Sequence, residues 1–312
     1  MPSSKPTQSI FKCLVSKDTK ILKEASASVS SSSVYGTWAF LPVTDGRFIQ
    51  KSPSDALLTK KLNGINHLSG SNAEESFYFT DTNIKTTKDL ETWARLVFPL
   101  FTDKDIKALL SQYPTSKDTN LPRFASAGDS GPSANDVSQV ATGVQQTAFN
   151  IYAETTFVCP SYWLAEAYSG PSAQKYAGYK YQFSVVNAAH GADSYAAFGY
   201  DVPNISPDFT KAFQRIWGNF IRTGNPSLKS SVLGDWPRFV GKPGAYQLVN
   251  LNQTGGTEIQ VPAYVGWDPV NVTVYTGEGR KNDFRVVNGY TWEAGRGKRC
   301  EWLRSVAARA GK

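Results

Sequence analysis

The chain switches repeatedly between two hydrophobic periods. Tyr179-Lys-Tyr-Gln-Phe-Ser-Val185 alternates apolar with polar residues, the period-two pattern of a strand. Ile65–Gly70 reads as a short buried strand and Tyr246–Leu251 as a final one. Helical spacing dominates elsewhere. Leu90, Trp93, Ala94 and Val97 share one face, and Thr102 with Asp105 forms a capping pair ahead of Ile106, Leu109 and Leu110. Phe209, Phe213, Ile216, Trp217, Phe220 and Ile221 recur at helical intervals until Thr223-Gly-Asn-Pro226 stops the run. Asp18 caps a short helix carrying Ile21, Leu22 and Ala25, and two more helices are predicted over about 137–153 and 160–168. Between these elements lie a serine-rich loop from Ser26 to Ser33, a hairpin-type turn at Asp45-Gly46 and a polar loop from Pro114 to Asn135. No internal repeat is visible. Strands alternating with helices predict an α/β fold, with catalytic groups on loops beyond the strand ends.

Composition narrows the function classes. With 312 residues, 40% of them hydrophobic, the chain has ample material for a large core and none of the bias of a disordered or fibrous protein. A net charge of +7 permits nucleic-acid binding, but no aromatic-basic platform or helix-turn-helix pattern accompanies it. The one basic concentration, Arg296 through Arg304 and on to Arg309 and Lys312, reads as a solvated tail. No apolar run reaches the roughly 18 residues of a membrane span, and the first residues lack the apolar region of a secretory signal, so the chain as written reads as cytosolic. Three glycosylation sequons, at Asn204, Asn252 and Asn271, point the other way, and the two observations conflict. Cys13, Cys159 and Cys300 lack metal or redox spacing; Cys159, just before Pro160 at a helix start, reads as a small buried hydrophobe. Nothing calls for a metal or a cofactor.

Two loops carry the candidate chemistry. Ser71-Asn-Ala-Glu-Glu-Ser-Phe77 follows the strand ending at Gly70, and Asn187-Ala-Ala-His-Gly-Ala-Asp193 follows the alternating strand. Acid first and imidazole second is the chain order of a hydrolase triad whose serine comes earliest. Further landmarks are Phe40-Leu-Pro-Val-Thr-Asp-Gly46, Gly70-Ser-Asn-Ala-Glu-Glu-Ser-Phe77, His190-Gly-Ala-Asp193 and Trp217-Gly-Asn-Phe-Ile-Arg-Thr-Gly-Asn-Pro226 followed by Asp235-Trp-Pro237. In this order, from about Cys13 to Trp267, they closely resemble the carboxyl-terminal part of the type-B carboxylesterase/lipase family, α/β-hydrolases that include cholinesterases and secreted fungal-type lipases.

The resemblance implies a partial α/β-hydrolase fold, the C-terminal half of a mostly parallel sheet with flanking helices. It divides the chain into a polar leader (1–10), a partial esterase domain (11–275) and a basic extension (276–312). It makes Glu75 the triad acid and His190 the general base, with Glu74 a non-catalytic neighbour and Asp193 a conservative departure from the family's glutamate. His67 matches no functional position and reads as structural. A carboxylate beside an imidazole fixes its tautomer and stabilises the imidazolium that forms when it accepts a proton.

The family's nucleophile sits on a Gly-x-Ser-x-Gly elbow, its oxyanion hole on a glycine-rich loop, and neither motif occurs here. Gly128-Asp-Ser-Gly-Pro132 is a decoy in a polar loop, and Ser71, Ser76 and Ser194 flank the acid and base loops without forming an elbow. The resemblance also implies that Cys13 would find its disulfide partner just upstream. The expected protein is therefore an ester-hydrolase relative holding acid and base without the nucleophile. Its complete form would act on a small carboxylic ester, with no nucleic-acid partner, and its incomplete sheet would favour self-association. The alternative is a non-catalytic esterase-like scaffold. The family's members are typically secreted. One geometric expectation follows: the strands before Gly70 and over 179–185 lie parallel in one sheet and bring Glu75 to His190.

Overall fold

The computed structural model describes residues 9–115, 128, 133, 138–169, 176–228, 233–240 and 246–310. Three short helices come first: α1 (Ile10–Val15), α2 (Thr19–Ser31) and α3 (Pro53–Leu58). Asp18 caps α2 by accepting the Lys20 N–H at 2.8 Å, and the helix runs on through most of the segment predicted to be a serine-rich loop. None of the three buries a residue. The hairpin expected at Asp45-Gly46 is absent. Asp45 Oδ1 instead accepts the backbone N–H groups of Arg47, Phe48 and Ile49, a local Asx turn that competes with strand pairing.

The next strand is β1 (Asn66–Asn72), followed by α4 (Thr87–Val97) and α5 (Asp103–Gln112). Each helix opens with a capping box, Thr86 with Asp89 and Thr102 with Asp105, and each turns the predicted apolar face inward. Helix α6 (Gly143–Ala153) begins later than predicted and passes through one π-helical turn, Glu154–Val158, directly into α7 (Cys159–Ala167). Then come β2 (Ala177–Phe183), α8 (Ala192–Phe198) and α9 (Pro207–Thr223), the last ended by Gly224 at φ 71°.

Strand β3 (Gln247–Thr254) is not the last. It is followed by β4 (Thr257–Val265), β5 (Asp268–Thr276), β6 (Lys281–Asn288) and α10 (Trp292–Ala310), whose first turn is left-handed at Glu293, Ala294 and Gly295. The main sheet has the order β1-β2-β3-β6, with parallel β1-β2 and β2-β3 pairs and an antiparallel β6, while β4 and β5 form a separate antiparallel pair. The solvated-tail expectation for the basic carboxyl end is thus overturned. Arg296 and Arg299 are buried, and Cys300 is disulfide-bonded to Cys159, which corrects the reading of Cys159 as a lone buried hydrophobe. Cys13 is unbonded and half-buried.

Helices cover both faces of the sheet. On one side Tyr179, Tyr181 and Phe183 of β2 meet Phe220, Phe213 and Phe209 of α9 edge to face, with centroids 5.5–6.2 Å apart. On the other side lie α7 and α10, above the polar residues that alternate with those aromatics: Lys180, Gln182 and Ser184, all buried. Of the three sequons, Asn252 is buried in β3, the Asn204 amide donates to the Val186 carbonyl, and Asn271 is exposed on β5.

Candidate active site

The acid and base loops are held together by the sheet itself. β1 and β2 run in parallel register from Asn66 opposite Ala177 to Asn72 opposite Phe183. Gly70 is required in this pairing, because a Cβ there would lie 2.0 Å from the Tyr181 ring. Pairing then continues beyond the strands: the Ala73 N–H donates to the Phe183 carbonyl, the Glu74 N–H donates to the Ala188 carbonyl, and Glu74 bridges Ala189. The second loop is longer than the first between these points, and the excess lifts His190 over Glu75. Gly191 follows at φ 80°, a left-handed conformation that turns the chain directly into α8.

The result is a 2.6 Å contact between His190 Nδ1 and Glu75 Oε2 across 115 positions of sequence. Glu75 is buried, whereas the imidazole is 39% exposed. The second carboxylate oxygen, Glu75 Oε1, accepts the Asn72 backbone N–H at 2.5 Å and the Asn72 amide at 3.3 Å. That amide also donates to Asp193 Oδ1 at 3.2 Å, while the Asp193 N–H returns a bond to Asn72 Oδ1 and Tyr181 donates to Asp193 Oδ2 at 2.8 Å. Asn72 and Asp193, both motif positions in the sequence, thus tie the acid loop to the base loop; Tyr181 carried no such signal, since it reads as an ordinary inward strand residue.

Environment separates the two adjacent carboxyls. Burial, reinforced by Glu293 and only partly offset by Arg296, pushes Glu74 up to about 8, and its buried Oε2 has no hydrogen-bond partner. Near neutrality Glu74 is therefore largely protonated, and Glu75 faces the imidazole. The hydrogen bond to Glu75 raises the His190 pKa above the ordinary imidazole value, against the opposing effect of burial. Phe157 and Phe79 pack against the ring at centroid distances of 4.5 and 5.0 Å. With Nδ1 committed to the carboxylate, Nε2 is the nitrogen left to exchange a proton.

Among the described residues no serine hydroxyl hydrogen-bonds His190. Ser71 Oγ lies 3.2 Å from Lys180 Nζ, Ser76 is buried, and Ser194 donates to the Gly191 carbonyl. Ser130 of the Gly-Asp-Ser-Gly decoy falls outside the described residues. His67 stacks on Tyr168 at 5.1 Å, away from this constellation.

A second charged cluster, invisible in the sequence, lies on the α7 side of the sheet. Glu154 receives Arg299 through two bonds of 2.6 and 2.7 Å, Arg296 at 3.1 Å and the Tyr113 hydroxyl at 2.8 Å. Burial alone would raise the Glu154 carboxyl; the guanidiniums, Arg299 foremost, reverse this and hold it below its ordinary value. Arg296 also donates to the Ala73 carbonyl at 2.9 Å, so the cluster braces the backbone two residues before Glu75. Lys180, wholly buried, reaches Ser161 Oγ at 2.7 Å, and burial together with Arg296 pushes it down to about 7.

The chain is 24% identical over 269 residues to an acetylcholinesterase of Bungarus fasciatus, covering 77% of this chain and 40% of that one. It is 23% identical to a liver carboxylesterase of Sus scrofa, with 73% and 41% covered, and 23% identical to a secreted triacylglycerol lipase of Gibberella zeae, with 64% and 33% covered. It spans well under half the length of these relatives. The structure of the esterase EstA from Aspergillus niger superposes with a TM-score of 0.63 over 97% of this chain and 52% of that one, at 16% identity, a likeness of fold. A sequence model described as the carboxylesterase family matches residues 2–264, most of the chain and both loops of the candidate site, so the chain belongs to the carboxylesterase family.

Proposed function

We propose that Glu75 and His190 are the acid and general base of a carboxylic ester hydrolase whose serine nucleophile and oxyanion donors lie outside these 312 residues. The 2.6 Å contact carries the reading, since it commits Nδ1 to the carboxylate and leaves Nε2 as the nitrogen to exchange a proton. In the complete site Nε2 takes the proton of the serine hydroxyl as oxygen attacks the ester carbonyl, and the imidazolium is stabilised by Glu75. The same proton passes to the departing alkoxide, and water then hydrolyses the acyl-enzyme with His190 again as base. Among the described residues β1 lies at one edge of the sheet, which supports the reading because an edge strand is where a further strand would pair beside the acid loop.

By itself the chain then lacks both the acyl-forming oxygen and the oxyanion donors, each donor worth roughly 3 to 4 kcal/mol of transition-state stabilisation. The test is to offer residues 1–312 a chromogenic short-chain ester and, in parallel, a serine-directed fluorophosphonate. Background turnover and no stoichiometric label are expected. Stoichiometric labelling, with turnover abolished by His190→Ala, would mean that a serine of this chain is the nucleophile and would overturn the proposal.

A further inference from the structure

The outer face of α9 carries a feature unrelated to the hydrolase reading. Its inner face is committed to the core through Phe209, Phe213 and Ile216. Outward, Lys211, Arg215 and Arg222 fall on one side of the helix around Gly218, and they line an open groove of about 320 Å³ with Gln214 and Asn219. All three cations are exposed, and among the described residues none is in an ion pair. The carboxylates in the nearby sequence, Asp201 and Asp208, precede the stripe rather than punctuate it. Apolar side chains flank it on one side. Ile221 is 77% exposed, and the Gln214 amide donates to the Ala197 carbonyl at 3.3 Å, joining α9 to the end of α8, where Phe198 and Tyr200 are 76% and 60% exposed.

We propose that this face docks the chain on an anionic lipid surface, the cations meeting headgroup phosphates and carboxylates while Ile221, Phe198 and Tyr200 enter the headgroup boundary. Charge complementarity selects a negative partner, and a free small anion would use the cations but leave the protruding apolar side chains without purpose. Such side chains beside a basic stripe are the makings of an interfacial contact. Binding of this kind weakens with salt, because the attraction acts over a Debye length of about 10 Å at 0.1 M.

The test is sedimentation of the full chain with vesicles containing phosphatidylserine in phosphatidylcholine, at 0.1 M salt. Binding is expected there, with little to pure phosphatidylcholine and release in 0.5 M salt. Lys211→Glu with Arg215→Glu and Arg222→Glu should lower partitioning at least about tenfold. The control triple Lys88→Glu, Lys104→Glu and Lys107→Glu changes net charge equally at exposed positions of α4 and α5, and should cost less than about threefold. Phe198→Ser with Ile221→Ser should lower it about fivefold. Equal losses from the two charge triples would reduce the effect to net charge. Binding of inorganic phosphate in the groove without vesicle association would make it a small-anion site. Either result overturns the proposal.

Discussion

The two faces of β2 solve one problem in opposite ways. Tyr179, Tyr181 and Phe183 face α9 and build an aromatic layer in which nearly every contact is apolar. Lys180, Gln182 and Ser184, alternating with them, face α7 and α10 and are just as buried, in a layer of charges and amides. Transfer from water is favourable for the first set, about 25 cal/mol per Å² of apolar surface, and costly for the second unless each group finds a partner. Burial is therefore not a property of the strand's sequence alone. The polar face is inside because other elements supply its partners, from Ser161 of α7, 19 positions from Lys180, to Glu293 and Arg296 of α10, more than a hundred from Gln182, and that same face braces the acid loop through the bond from Arg296 to the Ala73 carbonyl.

Breaking the closure of the polar face should have the largest effect. The Cys159–Cys300 disulfide, spanning 141 positions, ties α7 to α10 across the charge cluster. In the chain-entropy account a loop of this size contributes about 4 to 5 kcal/mol, so Cys159→Ser with Cys300→Ser should lower the denaturation free energy by about that amount in urea titrations.

Next come matched deletions, one per face. Glu154→Ala leaves two buried guanidiniums without their carboxylate and should cost about 3 to 5 kcal/mol, and Phe213→Ala should cost a similar 3 to 5 kcal/mol through its cavity. Acid titration separates them. The folded Glu154 pKa is depressed, so its contribution is present above the unfolded carboxylate value near 4.3 and is lost as pH falls through the lower folded value. Glu154→Ala should remove that part of the acid-unfolding slope, and Phe213→Ala should leave it unchanged.

A smaller effect sharpens the contrast. The folded Lys180 pKa lies near 7 against an unfolded value near 10.5, so the unfolded chain binds the extra proton between them and stability should climb with pH in that window. Lys180→Met keeps the volume and removes the charge. It should be at least as stable as the native chain at pH 7 and should flatten the climb by on the order of a few kcal/mol.

The two faces also explain what was legible in the sequence. Helix α9 could be read from Phe209 to its end because Phe209, Phe213 and Ile216 repeat at its own period and Gly224 marks the stop. The site loops could be read because each follows its strand closely and matches the motif of the family it resembles, so the two strands were expected in one parallel sheet with Glu75 meeting His190; in the structure they are parallel neighbours. The carboxyl end could not. Its basic residues look like a solvated run until Glu154, deep in a helix more than 140 positions earlier, is brought beneath them, and neither Arg296 nor Cys300 carries a local mark of its distant partner. The Asp45 turn departs from the sequence pattern for a different reason: a side-chain oxygen capturing three backbone donors competes with the hairpin that the same residues suggest.

The coupling of Glu75 to His190 is the claim on which the functional reading rests, and the chain offers a clean probe because His67 and His190 are its only histidines. NMR titration of ¹⁵N-histidine-labelled protein reads both. His190 should titrate above the ordinary imidazole value and His67 below it, the latter through burial and the neighbouring Lys180. A raised His190 pKa means that the pair's stabilisation is full below pH about 6.5 and fades as pH rises through the folded value. Glu75→Gln should bring the His190 midpoint down while leaving His67 in place. A His190 midpoint at or below the ordinary value, unmoved by Glu75→Gln, would contradict the account.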